Sequence, residues 1–169
     1  PIYSTADESR ARAEAAAWRR LTARSGDSEF WNSWLTILCG QVESVGAAML
    51  LLSPRSDGAY VPAAIWPDAQ RDMRYLGAAA ERALTERSGV VVGPDGQSTP
   101  QADQPAHVGY PIEVDGRLYG AIVLDLAPGP MPELQRSLRL VHWASAWLVD
   151  HFRQQQLAEE ARQYLLSGG

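Results

Sequence analysis

The sequence predicts an α+β domain: a central antiparallel sheet of about five to six strands flanked by helices, with long N- and C-terminal helices packed together. Three observations carry that reading. Asp115-Gly116 separates two strand-like runs, and a type I′ hairpin turn needs residues that accept positive φ. The run from Tyr119 to Leu124 is apolar on both faces, as expected of a central strand covered on both sides. Apolar residues at spacings of three and four recur before and after these strands, which marks helices with one buried stripe.

Taken in order, residues 5–24 are rich in Ala, Arg and Glu, all strong helix formers. Trp18 and Leu21 are the only large apolar residues there, and Gly26 breaks the pattern. Residues 1–26 are therefore expected to be an N-terminal helical extension. Asp27 or Ser28 is placed to cap the next helix by accepting orphan backbone donors. Its stripe reads Phe30, Trp31, Trp34, Ile37, Leu38, Gln41, Val42 and Val45, and Gly46 is expected to end it. Ala47 to Ser53 reads as a strand, Pro54 to Gly58 as a turn, and Ala59 to Trp66 as the second strand of a hairpin. Pro62 cannot donate to a ladder, which predicts an edge position or a bulge.

Pro67-Asp68 is expected to open a third helix with Met73, Leu76, Ala80, Ala83 and Leu84 on one face. Ser88-Gly89 should close it, with Gly89 in the left-handed cap. Val90 to Val92 is a short strand, and Gly93 to Pro105 a long loop punctuated by Gly and Pro. Val108 to Val114 and Arg117 to Ala127 form the hairpin described above. Pro128 to Pro132 stops the sheet, and a long helix follows from about Glu133 to Leu166. Leu138, Val141, Ser145, Leu148 and Phe152 form a coiled-coil-like seam on it, with Ser145 its one polar member. Leu140, Trp143 and Trp147 sit off that line. One face of this helix can pack on the sheet and leave the other for a partner helix. Residues 27–153 are expected to form the domain and 154–169 a C-terminal helical extension.

Composition removes several functions. The net charge is −5, and all 15 basic residues are arginine, scattered along the chain. That distribution lacks the basic stripe that nucleic acid or an anionic membrane surface requires. No lysine is present, so Schiff-base and P-loop lysine chemistry are absent. The single cysteine, Cys39, precludes an internal disulfide and a multi-thiolate metal site. It reads as a small buried hydrophobe, and a lone thiol points to a cytoplasmic setting. No apolar stretch approaches the roughly 20 residues of a membrane span, so no direct membrane insertion is expected. The chain begins at Pro1 and ends Leu-Ser-Gly-Gly, as expected of a segment of a longer protein.

The element order and the string GYPIEVDGRLYGAIVLDL resemble a GAF domain. Tyr110-Pro111-Ile112, Asp115-Gly116 and Gly120 to Leu124 match the hairpin pattern of that family in place. The resemblance covers about Glu29 to Phe152. Trp34-Leu35, Trp66-Pro67 and Trp143 to Leu148 further resemble the GAF-like segment found with HlyD-like membrane-fusion efflux adaptors. The resemblance implies a sensory or regulatory module that holds a small molecule between the sheet and a covering helix, and that dimerises through terminal helices.

No residue set completes a specialised version of that family. The methionine-sulfoxide-reductase version needs several cysteines, the bilin version a cysteine in the Gly93 to Pro105 loop, and the cyclic-nucleotide version a lysine. His142 and His151 are nine apart on one helix, hence on opposite faces, and cannot share a metal. No nucleophile elbow, glycine-rich phosphate loop or zinc-protease motif occurs. No metal site, no cofactor and no enzymatic activity are therefore expected. Asp125 is the one carboxylate in an otherwise apolar strand; it sits by water at the strand end, anchors a pocket, or pairs with an arginine.

Two functions remain. One is a non-catalytic sensory domain that binds a small-molecule ligand and signals to a fused output. Its candidate pocket comprises Trp66, Met73, Tyr75, Leu76, His107 and Tyr110, an apolar lining with a few polar groups. The other is a dimerisation or interaction module with a vestigial pocket, a homodimer through the terminal helices, with Leu138, Val141, Ser145, Leu148 and Phe152 as its candidate seam.

Overall fold

The computed structural model describes residues 27–53, 59–94, 96 and 103–168. The expected N-terminal helix, the 54–58 turn and most of the 93–105 loop lie outside these residues. The described elements are α1 (Asp27–Gln41), β1 (Val45–Leu52), β2 (Val61–Trp66), a 3-10 turn (Arg74–Leu76), α2 (Gly77–Glu86), β3 (Val90–Val92), β4 (Ala106–Val114), β5 (Arg117–Leu126) and α3 (Met131–Ser167).

The strands form one five-stranded sheet in the order β2-β1-β5-β4-β3, and every pairing is antiparallel. The doubly apolar β5 is the middle strand, and Ala121 to Leu124 are fully buried. The hairpin before it turns as its sequence demands, with Asp115 at φ 52° and Gly116 at φ 83°. Pro62 lies on the edge strand β2, opposite Leu51 where the β1–β2 register shifts.

Side chains alternate across a strand, and here the alternation separates two cores. Ala48, Leu50, Val108, Ile112, Ile122 and Leu124 face α1 and α3. Ala47, Met49, Val92 and Val123 face α2 and the 3-10 turn. On the first face Trp34 anchors the helix pair, because its Nε1 donates to the Ala144 carbonyl at 3.0 Å. Cys39 is fully buried there.

Three local expectations are corrected. The helix expected to reach Gly46 stops at Gln41, and Val45 is the first residue of β1. Val42 and Val45 are in phase with the helical stripe, but Val45 pairs with Leu126 and Ala127 N–H donates to the Ser44 carbonyl at 2.8 Å. The helix expected from Pro67 begins only after residue 73. Asp68 and Asp72 accept the backbone N–H groups of Gln70 and Arg74, at 2.9 and 3.1 Å. Such local bonds compete with helix formation. Finally Arg87, not Gly89, takes the left-handed cap of α2, at φ 52°. Its guanidinium donates to Glu113 Oε1 at 2.7 Å and to the Gly116 carbonyl at 3.1 Å, which ties the helix end to the hairpin.

Candidate functional site

The six pocket candidates do not meet in one place. Met73, Tyr75, Leu76 and His107 lie on the α2 face of the sheet. Trp66 and Tyr110 pack into the opposite core. His107 and Tyr110 are three residues apart on β4, so their side chains leave opposite faces. That parity was readable from the sequence. Tyr110 instead bonds through its hydroxyl to His142 Nδ1 on α3.

Among the described residues, the layer where the resemblance places a ligand is packed with apolar side chains. Met73, Leu76, Ala79 and Ala80 meet Ala47, Met49, Val92 and Val123 as one buried cluster. Gly109 shows how near α2 lies: a Cβ there would stand 2.4 Å from the Ala79 carbonyl oxygen and 3.0 Å from Ala83 Cβ. Small residues on both sides bring backbone against backbone.

A polar cluster closes one margin of this layer. The Tyr75 hydroxyl donates to Asp125 Oδ2 at 2.7 Å, and Arg71 Nη2 donates to the Tyr75 oxygen at 3.4 Å. Buried His107 lies under the Tyr75 ring, centroids 5.6 Å apart and edge to face, with Nε2 3.7 Å from Asp125 Oδ1. Burial pushes the Tyr75 phenol above its ordinary range; the bond from Arg71 opposes this and the bond to Asp125 adds to it. The phenol therefore stays protonated and serves as a donor to the carboxylate. Asp125 thus anchors the turn before α2 to the middle strand. Among the described residues no three His, Cys, Asp or Glu side chains gather as a metal site would require.

The helix seam is interior. Val141, Ser145, Leu148 and Phe152 are buried, and Leu138 packs against the same core. They face α1 and the sheet, so as a surface for a partner this seam is overturned: its apolar side chains are spent inside one copy. The opposite face of α3 carries exposed aromatic rings. Trp143 is 56% exposed and Trp147 42%, their rings 6.2 Å apart. Both rings line a narrow, largely apolar groove between α1 and α3, together with Trp34, Ile37, Leu38, Gln41, Leu140 and Ala144. Farther along, Leu157, Tyr164, Leu165 and Leu166 are at least 60% exposed. No helix among the described residues is long and apolar enough to cross a membrane.

Among the described residues, a five-stranded antiparallel sheet with two helices on one face and one on the other defines the class: a sandwiched α+β fold. No family model matches the sequence, and no curated protein matches it. Solved structures do. The GAF domain of A. aeolicus nlh2 in an inactive state is similar at a TM-score of 0.60 and 12% identity, over 86% of this chain and 96% of that one. The GAF domain of an Acinetobacter phosphoenolpyruvate-protein phosphotransferase is similar at 0.61 and 8%, over 89% and 97%. The GAF domain of a putative sensor histidine kinase from Pseudomonas syringae pv. tomato is similar at 0.52 and 15%, over 92% and 95%. This chain has the GAF-domain fold.

Proposed function

We propose that this chain is a non-catalytic regulatory module that acts by pairing with a second copy along the outer face of α3, its ligand layer being vestigial. One observation carries the reading: two tryptophans of α3 are exposed on the face turned away from its buried stripe. Val141, Leu148 and Phe152 are consumed by the core, whereas Trp143 and Trp147 stand outside it. Exposed aromatic pairs of this kind mark interaction surfaces. The fold fits such a role, since its structural neighbours include GAF domains from a phosphotransferase and a putative sensor histidine kinase.

Sedimentation equilibrium tests it. The wild type should be a dimer and the double variant W143E/W147E a monomer with unchanged far-UV circular dichroism. A wild type that stays monomeric at its highest attainable concentration removes the proposal.

A second reading, a small-molecule sensor coupled to a fused output, draws on the Arg71, Tyr75, His107 and Asp125 cluster. A polar ligand there would replace the Tyr75 hydroxyl as partner of Asp125 and lift the turn. A thermal-shift screen of polar metabolites and cyclic nucleotides checks it: stabilisation of the wild type that D125A abolishes supports a ligand at this margin, and no shift across the screen counts against one.

A further inference from the structure

We infer that the two helix layers are tied to one another by a two-arginine latch on the β4–β5 turn, with Arg87 at the end of α2 and Arg153 on α3 as its two catches. The latch lies within one copy and does not depend on the pairing reading.

α2 and α3 cover opposite faces of the sheet, and both pack on β4. Strand parity makes β4 a bridge between them. Gly109 lies against Ala79 and Ala83 of α2, while the next residue, Tyr110, bonds to His142 of α3. Toward the turn the same strand is held by charges. Arg87 Nη1 donates to Glu113 Oε1 at 2.7 Å and to the Gly116 carbonyl at 3.1 Å. Arg153 Nη2 lies 3.6 Å from Asp115 Oδ1. One two-residue turn is thus held through its carbonyl from α2 and through its side chain from α3.

The backbone marks the same two places. Among the described residues only Arg87 and Asp115 take positive φ without being glycine, each at 52°. For Asp115 this is ordinary, since a type I′ turn requires it. For arginine the left-handed region is disfavoured by its Cβ, whereas Gly89, two residues on, carries no such penalty. Setting the cap at Arg87 puts the guanidinium where it reaches both Glu113 and Gly116. Those bonds offset the local strain. The cap therefore has two states: left-handed with the latch closed, and relaxed with it open.

Both pairs are open to water. The side chains of Arg87 and Arg153 are each 51% exposed, so solvent and salt weaken their ion pairs. The two arginines line one open groove of about 580 Å³ between the end of α2 and α3. At this end of the sheet, charge rather than packing spans the two layers. Opening at Arg87 frees the turn, and a free turn no longer holds Asp115 at Arg153. Release therefore passes from one face of the sheet to the other, in either direction.

Hydrogen–deuterium exchange read by mass spectrometry tests the latch in R87M, R153M and the control R82M, all of which keep an unbranched stem and lose the charge. Arg82 pairs with Glu86 within α2 and so stands for an ion pair on the same helix. At low salt R87M should raise exchange in the α3 segment around Arg153 by about threefold, the worth of one exposed ion pair. R153M should do the same in the last turn of α2, and R82M should leave α3 unchanged. Wild type at about 1 M salt, where screening acts within about 3 Å, should exchange as R87M does at low salt. That arm reads the latch without any substitution. An R87M effect confined to α2 and the turn overturns the inference. So does an R82M that loosens α3 equally, which would report general loss of stability, or a wild-type pattern that salt leaves unchanged.

Discussion

The two faces of the sheet are built from side chains of different size, and that difference decides what each can do. On the α2 face Ala47, Ala79, Ala80 and Gly109 let a helix lie against strands at backbone distance, and the layer closes. On the other face the rings are large and stacked: Trp31 on Phe152 at 5.3 Å, Tyr119 on Phe152 at 4.4 Å. They fill the space between the sheet and α1 and α3, and α3 also carries exposed Trp143 and Trp147. Small residues therefore bring α2 close to the sheet, while on the other helix layer aromatic rings remain exposed.

The sharpest break of this comparison is a charge placed on each face of α3. Leu148 is fully buried among apolar neighbours, so L148E buries an unpaired carboxylate and should lower unfolding stability by more than about 4 kcal/mol. Trp143 is on the outer face, and W143E should change monomer stability by no more than about 0.5 kcal/mol. Urea midpoints measured on dilute, monomeric protein compare the two. Similar losses would mean that the outer face belongs to the core after all.

A second pair probes the closed layer. G109A pushes a Cβ to 2.4 Å from the Ala79 carbonyl and should cost about 1–3 kcal/mol by overpacking. Gly77 has nothing within 4 Å of the same added atom, at the start of the same helix. G77A should therefore be neutral or stabilise by up to about 1 kcal/mol through the unfolded chain. Thermal unfolding of both separates the effect of close approach from that of glycine itself. If G109A is also neutral, α2 yields easily and a cavity beneath it becomes accessible.

Much of this architecture was legible, and the failures have physical causes. The β4–β5 hairpin follows from one dipeptide and one doubly apolar run, signals that no tertiary contact opposed. The end of α1 was illegible because Val42 and Val45 satisfy both helical phase and strand composition, and the choice was made by pairing with Leu126. The start of α2 was displaced by two aspartates that take backbone donors locally. The candidate pocket failed for a different reason. Residue type gave plausible members, but Tyr110 and His107 are separated by strand parity, and closure of the layer depends on the approach at Gly109, a distance no local pattern encodes. The α3 seam was correctly found as a stripe and wrongly placed outside, because two stripes compete and only packing assigns one to the core.

A smaller effect sharpens the account of the α2 margin. Y75F deletes the hydroxyl that donates to Asp125 and should cost about 1 kcal/mol or less, since Tyr75 is 43% exposed. Burial raises the folded phenol above its unfolded value near 10. The native state then retains its proton when the unfolded chain has lost it, so this residue's contribution is present below pH 10 and declines as pH rises beyond it. Y75F should flatten the alkaline decline of the urea midpoint; an unchanged decline would mean that the phenol is as hydrated as in the unfolded chain.

The smallest expected effect lies in the turn that brings α2 to the sheet. Arg74 holds the Asp72 carboxyl down at about 2, through its side chain first and its backbone N–H second. A carboxyl depressed from 3.8 contributes stability above that value and loses it as pH falls toward 2. The pair is exposed, 91% for Arg74 and 61% for Asp72, so water and salt screen most of it. The urea midpoints of D72A and wild type should therefore differ slightly at neutral pH and converge between about pH 4 and 2. A gap that persists at pH 2 would assign Asp72 a role independent of its charge, and would make the turn, rather than the closely packed alanines, the element that seats α2 on the sheet.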